Sequence, residues 1–194
     1  MTRVIFHTAT TVDGFLATEE DSLDWLFATP GSAEAEVAFG SFLDGVGVLV
    51  MGSSTYEWLV RNENLHDEPE RWQQLYGRRP SFVFSSRPRE LVHGADIRMV
   101  AGSVDEQWDE IRKAAENADV WIVGGGDLAG QFADADLLDE IRLSIAPATL
   151  GSGKPLMPRV LGPERLTLLD AKRAGQFAEL VYALRPASPG NSPS

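Results

Sequence analysis

Three short segments of the chain combine small residues with hydroxyl or charged side chains, and each follows an apolar run of strand length. A helix that begins at such a point presents free backbone N–H groups and the positive end of its dipole, so it can bind a phosphate. Glycine lets a ligand approach the backbone closely. The segments are Gly52-Ser53-Ser54-Thr55, Ser85-Ser86-Arg87 and Gly124-Gly125-Gly126-Asp127. Each alone is equally typical of a tight turn, but together they predict a cradle for a phosphorylated dinucleotide.

One of these segments also fits the formal pattern of a Rossmann nucleotide site. Gly124, Gly126 and Ala129 match G-x-G-x-x-A, which normally opens the first βαβ unit of a chain. That site needs an acidic residue about 20 positions further on. The corresponding region, 146–148, contains none. The pattern therefore favours a phosphate-binding turn in a different α/β fold.

The elements that must position these segments alternate between strand and helix patterns. Short, almost continuous apolar runs are typical of strands buried on both faces of a parallel sheet. Strands are predicted over 4–11, 46–51, 81–84, 97–100, 120–123 and 140–147. Helices are predicted over 33–43, through 56–59 after an opening at 52–55, near 72, over 104–118 and over 127–138. This order predicts an α/β fold with a central, mostly parallel sheet.

The last part of the chain changes character. Two β segments, near 166–169 and over 177–184, are joined by the short link Lys172-Arg173-Ala174-Gly175 and predict an antiparallel hairpin at the edge of the sheet. Residues 186–194 are rich in proline, serine and glycine, which predicts a disordered tail. We therefore expect a single domain over 1–185.

The composition excludes several classes of function. The 194 residues contain no cysteine, which excludes disulfides, thiolate catalysis and zinc sites built on cysteine. The three histidines lack metal-ligand spacing, so we expect no metal. Seventeen basic and twenty-nine acidic residues give a net charge of −12, which argues against nucleic acid or an anionic membrane as a partner. No apolar run approaches the roughly 20 residues of a membrane span, so the cytoplasm is the expected location.

Several motifs, in the right order along the chain, resemble the dihydrofolate reductase-like superfamily. They are Thr11-Val12-Asp13-Gly14, Leu23-Asp24-Trp25-Leu26, Val50-Met51-Gly52-Ser53-Ser54-Thr55, Phe84-Ser85-Ser86-Arg87, and Ile122-Val123-Gly124-Gly125-Gly126 with Gln131-Phe132. The segments 147–153 and 155–158 are similar to the branch that contains the RibD C-terminal reductase domain of riboflavin biosynthesis. The resemblance covers residues 2 to 185. It implies a three-layer α/β fold and an NADPH-dependent reductase.

The resemblance also implies a role for each motif. The cofactor pyrophosphate would be contacted by Gly52, Ser53, Ser54 and Thr55, and the adenosine ribose phosphate by Ser85, Ser86 and Arg87. The backbone passing under the pyrophosphate and nicotinamide ribose would be that of Gly124, Gly125, Gly126, Asp127 and Leu128. Ala9 and the loop from Gly14 to Trp25 would line the nicotinamide and the substrate.

The candidate catalytic residues are Asp13, Asp24 and Trp25. A carboxylate beside a large apolar ring can have its pKa raised, so Asp24 could orient substrate or relay a proton. Turn formation by Asp13 and helix capping by Asp24 are the alternatives. His7 is expected to be a histidine of the core or sheet face.

Two departures from the family pattern bear on the substrate and the cofactor. Dihydrofolate reductases carry an acid a few residues after the loop tryptophan, where this chain has Pro30. Ser53 replaces a common arginine, which leaves Arg87 to recognise the 2′-phosphate. The expected substrate resembles 5-amino-6-(5-phosphoribosylamino)uracil, with a pterin second. A non-catalytic nucleotide-binding protein on the same fold is the alternative.

The resemblance suggests a homodimer formed through late strands, with the segment 177–182 as the candidate surface.

Overall fold

A computed structural model describes residues 2–30 and 33–186 of the chain. In chain order the strands are β1 (Val4–Thr11), β2 (Phe15–Ala17), β3 (Val46–Gly52), β4 (Ser81–Phe84), β5 (Ile97–Val100), β6 (Asp119–Gly124), β7 (Glu140–Ala146), β8 (Lys154–Pro155), β9 (Leu166–Ala174) and β10 (Phe177–Leu184). The helices are α1 (Asp24–Ala28), α2 (Ala33–Asp44), α3 (Ser53–Asn62), α4 (Glu70–Tyr76), α5 (Val104–Ala115) and α6 (Gly126–Asp134).

Eight of the strands form one sheet, in the order β5-β4-β3-β6-β1-β7-β10-β9. The first six in this order run parallel, while β10 and β9 add antiparallel at one edge. β1 lies near the middle, where Phe6 is opposite Ile122 of β6 and Ile141 of β7. The expected mostly parallel sheet with an antiparallel hairpin is confirmed.

Helices cover both faces of this sheet and produce three layers. Successive side chains of a strand point to opposite faces. Accordingly Val4 and Phe6 pack into the apolar cluster under α5 and α6, whereas Ile5 packs into the cluster under α2, α3 and α4. All three side chains are fully buried. The three-layer α/β fold expected from the resemblance is therefore confirmed.

The late hairpin differs from the expectation at its turn. Strand pairing continues through Ala174 and resumes at Phe177, so the link is Gly175-Gln176 and the proposed link over 172–175 is wrong. Gly175 has a φ of 60°, which glycine adopts without a steric penalty. β10 ends at Leu184, and the domain boundary at 185 stays a prediction. Residues 187–194, most of the predicted tail, lie outside the described residues.

Several helix boundaries also differ from the sequence prediction. α5 ends at Ala115, three residues early, because Glu116 and Asn117 adopt left-handed conformations with φ of 50° and 77°. α6 begins at Gly126 and ends at Asp134, not at 127 and 138. β2 and β8 form a small second sheet that the sequence analysis did not anticipate. Within residues 2–30 and 33–186, no helix has the length and apolar character needed to cross a membrane.

Candidate cofactor and substrate cleft

A cleft of about 1120 Å³ opens at the carboxyl ends of the central parallel strands. Ligands of open α/β sheets bind at this edge. The volume slightly exceeds the upper end of the range common for a single drug-sized ligand, so it has room for an extended molecule. One end is built by the starts of α3 and α6, and the other by aromatic side chains around β1 and α2.

Two helices begin at adjacent points of the cleft floor with their N-termini open. α3 follows β3 with Gly52 as its N-cap, and α6 follows β6 with Gly125 as its N-cap. Neither N-cap supplies a side-chain hydrogen bond. Since β3 and β6 are neighbours in the sheet, the two helix N-termini point their free N–H groups and positive dipole ends into the same region.

The three consecutive glycines serve different purposes. A Cβ on Gly124 would lie 2.8 Å from Oγ1 of Thr55, and a Cβ on Gly126 would overlap the carbonyl oxygens of Pro155 and Leu156. A Cβ on Gly125 would meet no atom within 4 Å. The outer glycines are therefore needed for packing, while Gly125 leaves open space over the floor. The peptide between Gly124 and Gly125 is cis.

The carboxylate of Asp127 lies beside this floor, but it is already paired. Gln131 Nε2 donates to it at 2.9 Å, and Arg159 Nη1 lies 3.0 Å from its Oδ1. These two groups, Gln131 first, lower the pKa of Asp127. Arg159 also pairs with Asp134 at 2.6 Å. The local negative charge is thus offset where an anion would approach.

The third predicted phosphate-binding segment lies at the end of β4, beside β3. Ser85 Oγ donates to the carbonyl of Arg87 at 2.6 Å and accepts from its backbone N–H at 3.2 Å. Arg87 is exposed, and its guanidinium makes no hydrogen bond or ion pair with the described residues. Ser85, Ser86 and Arg87 do not line the cleft itself. They follow β4, which neighbours β3 on the side away from β6.

Most of the remaining predicted cofactor residues lie at the cleft. Those that line it are Ala9, Ser54, Thr55, Gly124, Gly125, Gly126 and Asp127. Gly52 and Ser53 lie at the open start of α3 but outside the lining. Leu128 is buried in the core under α6. Contact of any of these residues with a cofactor stays a prediction.

The predicted catalytic residues separate into two groups. Trp25 lines the cleft. Asp24 is exposed and outside the lining. Asp13 also lies outside it, with Oδ2 accepting hydrogen bonds from the backbone N–H of Leu150 at 3.0 Å and of Gly151 at 2.7 Å.

Asp13 thereby fastens the turn after β1 to the loop after β7. Thr11 Oγ1 donates to Asp13 Oδ1 at 2.6 Å, and this hydrogen bond, followed by that of Gly151, lowers the pKa of Asp13. The side chain is thus held as an ionised anchor. Catalytic roles for Asp13 and Asp24 stay predictions.

The other end of the cleft is aromatic. The His7 ring lies 4.5 Å from the ring of Phe42 and 5.6 Å from that of Phe39, with both contacts edge-on. Trp121 Nε1 donates to the His7 carbonyl at 3.0 Å. Burial, reinforced by the charge of Arg142, lowers the pKa of His7 to about 4, so the imidazole is neutral at physiological pH.

The sequence analysis missed most of this aromatic end. His7, expected in the core or on a sheet face, lines the cleft together with Phe39, Phe42, Arg142 and Ser144. One signal was available in β7. Its sequence alternates polar Arg142 and Ser144 with Ile141, Leu143 and Ile145, which is typical of a strand with one solvent-facing side. Among the described residues, no cluster of three or more His, Asp or Glu side chains could hold a metal.

Comparison with known proteins gives one consistent family. The profile of the RibD C-terminal domain matches residues 2–179. Two Bacillus subtilis proteins are similar over almost their whole lengths. The uncharacterized protein YyaP is 30% identical over 187 residues, covering 93% of this chain and 94% of YyaP. The uncharacterized protein YwjB is 28% identical over 182 residues, covering 93% of this chain and 97% of YwjB.

Solved structures agree with this assignment. A Shewanella sp. PV-4 protein that bears a provisional riboflavin-biosynthesis name is 26% identical, with a TM-score of 0.74 over 95% of this chain and 99% of its own. A Thermotoga maritima deaminase and 5-amino-6-(5-phosphoribosylamino)uracil reductase shares the fold, at 12% identity and a TM-score of 0.64 over 95% of this chain and 57% of its own. The profile match, the two relatives and the cleft at the expected edge of the sheet lead to one conclusion: the chain belongs to the RibD C-terminal domain family.

Proposed function

We propose that the protein is an NADPH-dependent reductase of a small heterocyclic substrate. The observation that carries this proposal is the pair of open helix N-termini of α3 and α6, which flank the free floor at Gly125 and continue into an aromatic pocket. A dinucleotide needs phosphate-binding donors at one end and a ring-binding wall at the other, and this cleft offers both.

The residues of this chain would bind and orient the cofactor. The backbone N–H groups at the starts of α3 and α6 would donate to the pyrophosphate, with Ser54 and Thr55 beside them. Gly125 would let the phosphates approach the backbone. Arg87 would face the 2′-phosphate as a planar cation that is always charged. The bound dinucleotide supplies the hydride.

The substrate would bind beyond the nicotinamide, against Ala9, Trp25 and the aromatic wall around His7. Family membership favours a ribosylamino-uracil as the first substrate class to test, since the Thermotoga relative's name includes that reductase activity. A pterin comes second, because the acid that anchors a pterin ring is replaced at Pro30.

A second candidate function is nucleotide binding without turnover. It is favoured by the positions of Asp13 and Asp24, which lie outside the cleft lining and leave no predicted carboxylate at the substrate end. Fold alone does not decide between the two, because one fold supports many functions.

Titration of the purified protein with NADPH, followed by a panel of uracil and pterin compounds, tests the proposal. Binding of NADPH together with its oxidation by a panel member supports the reductase. Binding without oxidation by any member supports the binding protein. An NADPH affinity weaker than about 1 mM would contradict both functions.

We also propose a homodimer formed through the late strands. β10, including the segment 177–182, is paired on both sides within the sheet, so only the outer edge of β9 is open for further strand pairing there. Leu168 and Leu169 of β9 are about half exposed, at 53% and 57%. Light scattering at micromolar concentration should give twice the chain mass of 21.2 kDa, and a monomer mass would contradict the dimer.

A further inference from the structure

Two rings on the cleft wall have buried nitrogens that no described residue satisfies. They are Nδ1 of His7 and Nε1 of Trp25. A buried polar atom without a partner costs about 1–3 kcal/mol, and such atoms are uncommon in native proteins. Trp72 has a similar unsatisfied nitrogen, but it lies in the core, away from the cleft. The cleft therefore has unmet hydrogen-bonding capacity that a ligand could use.

The charges on the same wall are already paired. Arg142 forms an ion pair with Glu140, and its guanidinium lies 5.2 Å from the centre of the Phe42 ring. Lys154, in β8 of the second sheet, lies 3.7 Å from Asp21. The aromatic pocket therefore holds no unpaired cation among these residues that would be ready to bind a phosphate or carboxylate.

The basic residues of the rim face other groups. Lys172 of β9 is directly opposite Glu179 of β10, and both are at the outer end of the cleft. Arg173 donates from Nε to the carbonyl of Gly175 at 2.7 Å. Among the cationic side chains that line the cleft, only these two of the rim form no ion pair with a described residue, and they lie next to a carboxylate.

His7 has the chemistry to select an uncharged ring. Its neutral imidazole carries one donor and one acceptor, and its side chain makes no hydrogen bond with the described residues. Phe39 and Phe42 pack against the imidazole in T-shaped contacts and form an apolar wall beside it. A flat ring with a polar edge can pack on this wall and hydrogen-bond to His7.

We propose that His7 is a specificity-determining residue, which hydrogen-bonds the edge of a flat, uncharged heterocycle packed among Phe39, Phe42 and Trp25, and that this pocket admits no phosphate or carboxylate. The inference rests on the proposed reductase function, and it narrows the substrate class. A phosphorylated sugar, if the substrate carries one, lies outside the aromatic pocket and adds little affinity.

A matched pair of probes tests the charge of the bound group. The full chain, in the presence of NADP⁺, is titrated with 5-amino-6-(ribitylamino)uracil and with its 5′-phosphate, using calorimetry. We expect dissociation constants that agree within threefold. A phosphate probe that binds more than tenfold tighter would overturn the proposal. The proposal would also be overturned if neither of these probes nor 6-hydroxymethyl-7,8-dihydropterin binds at 1 mM.

A set of variants tests His7 itself. His7→Phe keeps the ring shape and removes both nitrogens, so we expect ring-probe affinity to fall at least tenfold while NADPH affinity is unchanged. His7→Gln, which restores a donor and an acceptor, should recover part of that loss. Trp72→Phe is the control, because it removes an unsatisfied buried N–H elsewhere, and it should change neither affinity.

The outcomes separate this inference from the proposed function. If His7→Phe folds and binds the ring probes within twofold of the unaltered protein, the inference is wrong even if the protein turns over NADPH. If NADPH does not bind but the ring probes bind and depend on His7, the reductase proposal fails and the pocket assignment stands. Should His7→Phe not fold, Trp25→Phe replaces it and is expected to show the same selective loss.

Discussion

Three helices of this protein follow parallel strands of the sheet, and their N-termini fall into two kinds. The start of α5 is closed by its own side chains: Ser103 Oγ accepts from the backbone of Glu106 at 3.3 Å, and the Glu106 carboxylate accepts from the backbone of Ser103 at 2.9 Å. The starts of α3 and α6 have glycine N-caps and no such bonds. Only the two open starts lie at the cleft.

The difference shows where the chain retains binding capacity. A capping box satisfies the first N–H groups of a helix and stabilises it. At α3 and α6 no side chain caps those groups, so they can donate to water or to a ligand in the cleft. The contrast therefore separates a helix whose start is capped by its own side chains from two helices whose starts are free to bind the proposed cofactor.

The largest expected effect on NADPH affinity comes from filling the space at Gly125, between the open starts of α3 and α6. Gly125 has a φ of −89°, which any residue adopts, so Gly125→Val should fold with an unchanged far-UV circular dichroism spectrum. Its side chain would occupy the space that the pyrophosphate needs. We expect NADPH affinity to fall more than a hundredfold, measured by fluorescence titration.

Two glycine variants control that experiment. Gly40→Val, on the exposed side of α2 with no atom near the new Cβ, should leave NADPH affinity unchanged. Gly126→Ala should instead reduce stability, because its Cβ would overlap two backbone carbonyls. Unchanged NADPH affinity in Gly125→Val would remove this loop from the cofactor site.

A side-chain cap at the start of α3 should give this helix a capped N-terminus like that of α5. Gly52→Asp places a carboxylate at the N-cap of α3, where no atom lies within 4 Å of the new Cβ. We expect the urea midpoint to rise, since an N-cap carboxylate stabilises a helix by a few tenths to about 1 kcal/mol. NADPH affinity should fall at least tenfold, because the carboxylate takes the donors and repels phosphate. A gain in stability with no loss of affinity would show that the α3 start does not bind the cofactor.

Arg87, which follows β4, gives a further test of whether the cofactor binds at the open helix starts. Arg87 makes no ion pair among the described residues, whereas Arg89 pairs with Glu57. A charge-assisted hydrogen bond contributes about 1.5–3 kcal/mol, so Arg87→Ala should weaken NADPH binding tenfold or more and leave NADH binding nearly unchanged. Arg89→Ala should not distinguish the two nucleotides. Equal losses for both nucleotides in Arg87→Ala would exclude Arg87 as the 2′-phosphate ligand.

The smallest effect is expected at the closed helix. Ser103→Ala breaks the capping box and should lower the free energy of unfolding by about 1 kcal/mol, measured in urea. NADPH affinity should stay the same, since α5 does not line the cleft. A matching loss of affinity would mean that stability, and not ligand chemistry, governs all of these variants.

The sheet could be predicted from the sequence because its central strands are buried on both faces. The runs 46–51 and 120–123 are almost entirely apolar, and each is followed directly by glycine, which indicates both the strand and the edge where a ligand could approach. The late hairpin was predicted for a similar reason, although its turn is two residues long because pairing continues through Ala174.

The aromatic pocket could not be predicted from local patterns, because its members come from distant parts of the chain. His7, Phe42 and Arg142 meet only when β1 lies beside β7 and α2 packs over both. Nor does the sequence around Asp13 reveal that its carboxylate binds the backbone at Leu150 and Gly151. Such contacts depend on strand order, which the sequence pattern left open.

The position of β1 has a consequence for how the protein is made. Its neighbours in the sheet come from residues 120–122 and 140–146, far along the chain. At a translation rate of about 5–20 residues per second, the strand Val4–Thr11 waits roughly 7–28 s before its last partner is synthesised. Until then the apolar Val4, Ile5 and Phe6 lack the sheet that buries them. The two open helix starts come together only when β6 has emerged, so a nascent chain that stops short of β6 has no assembled site with which to bind a nucleotide.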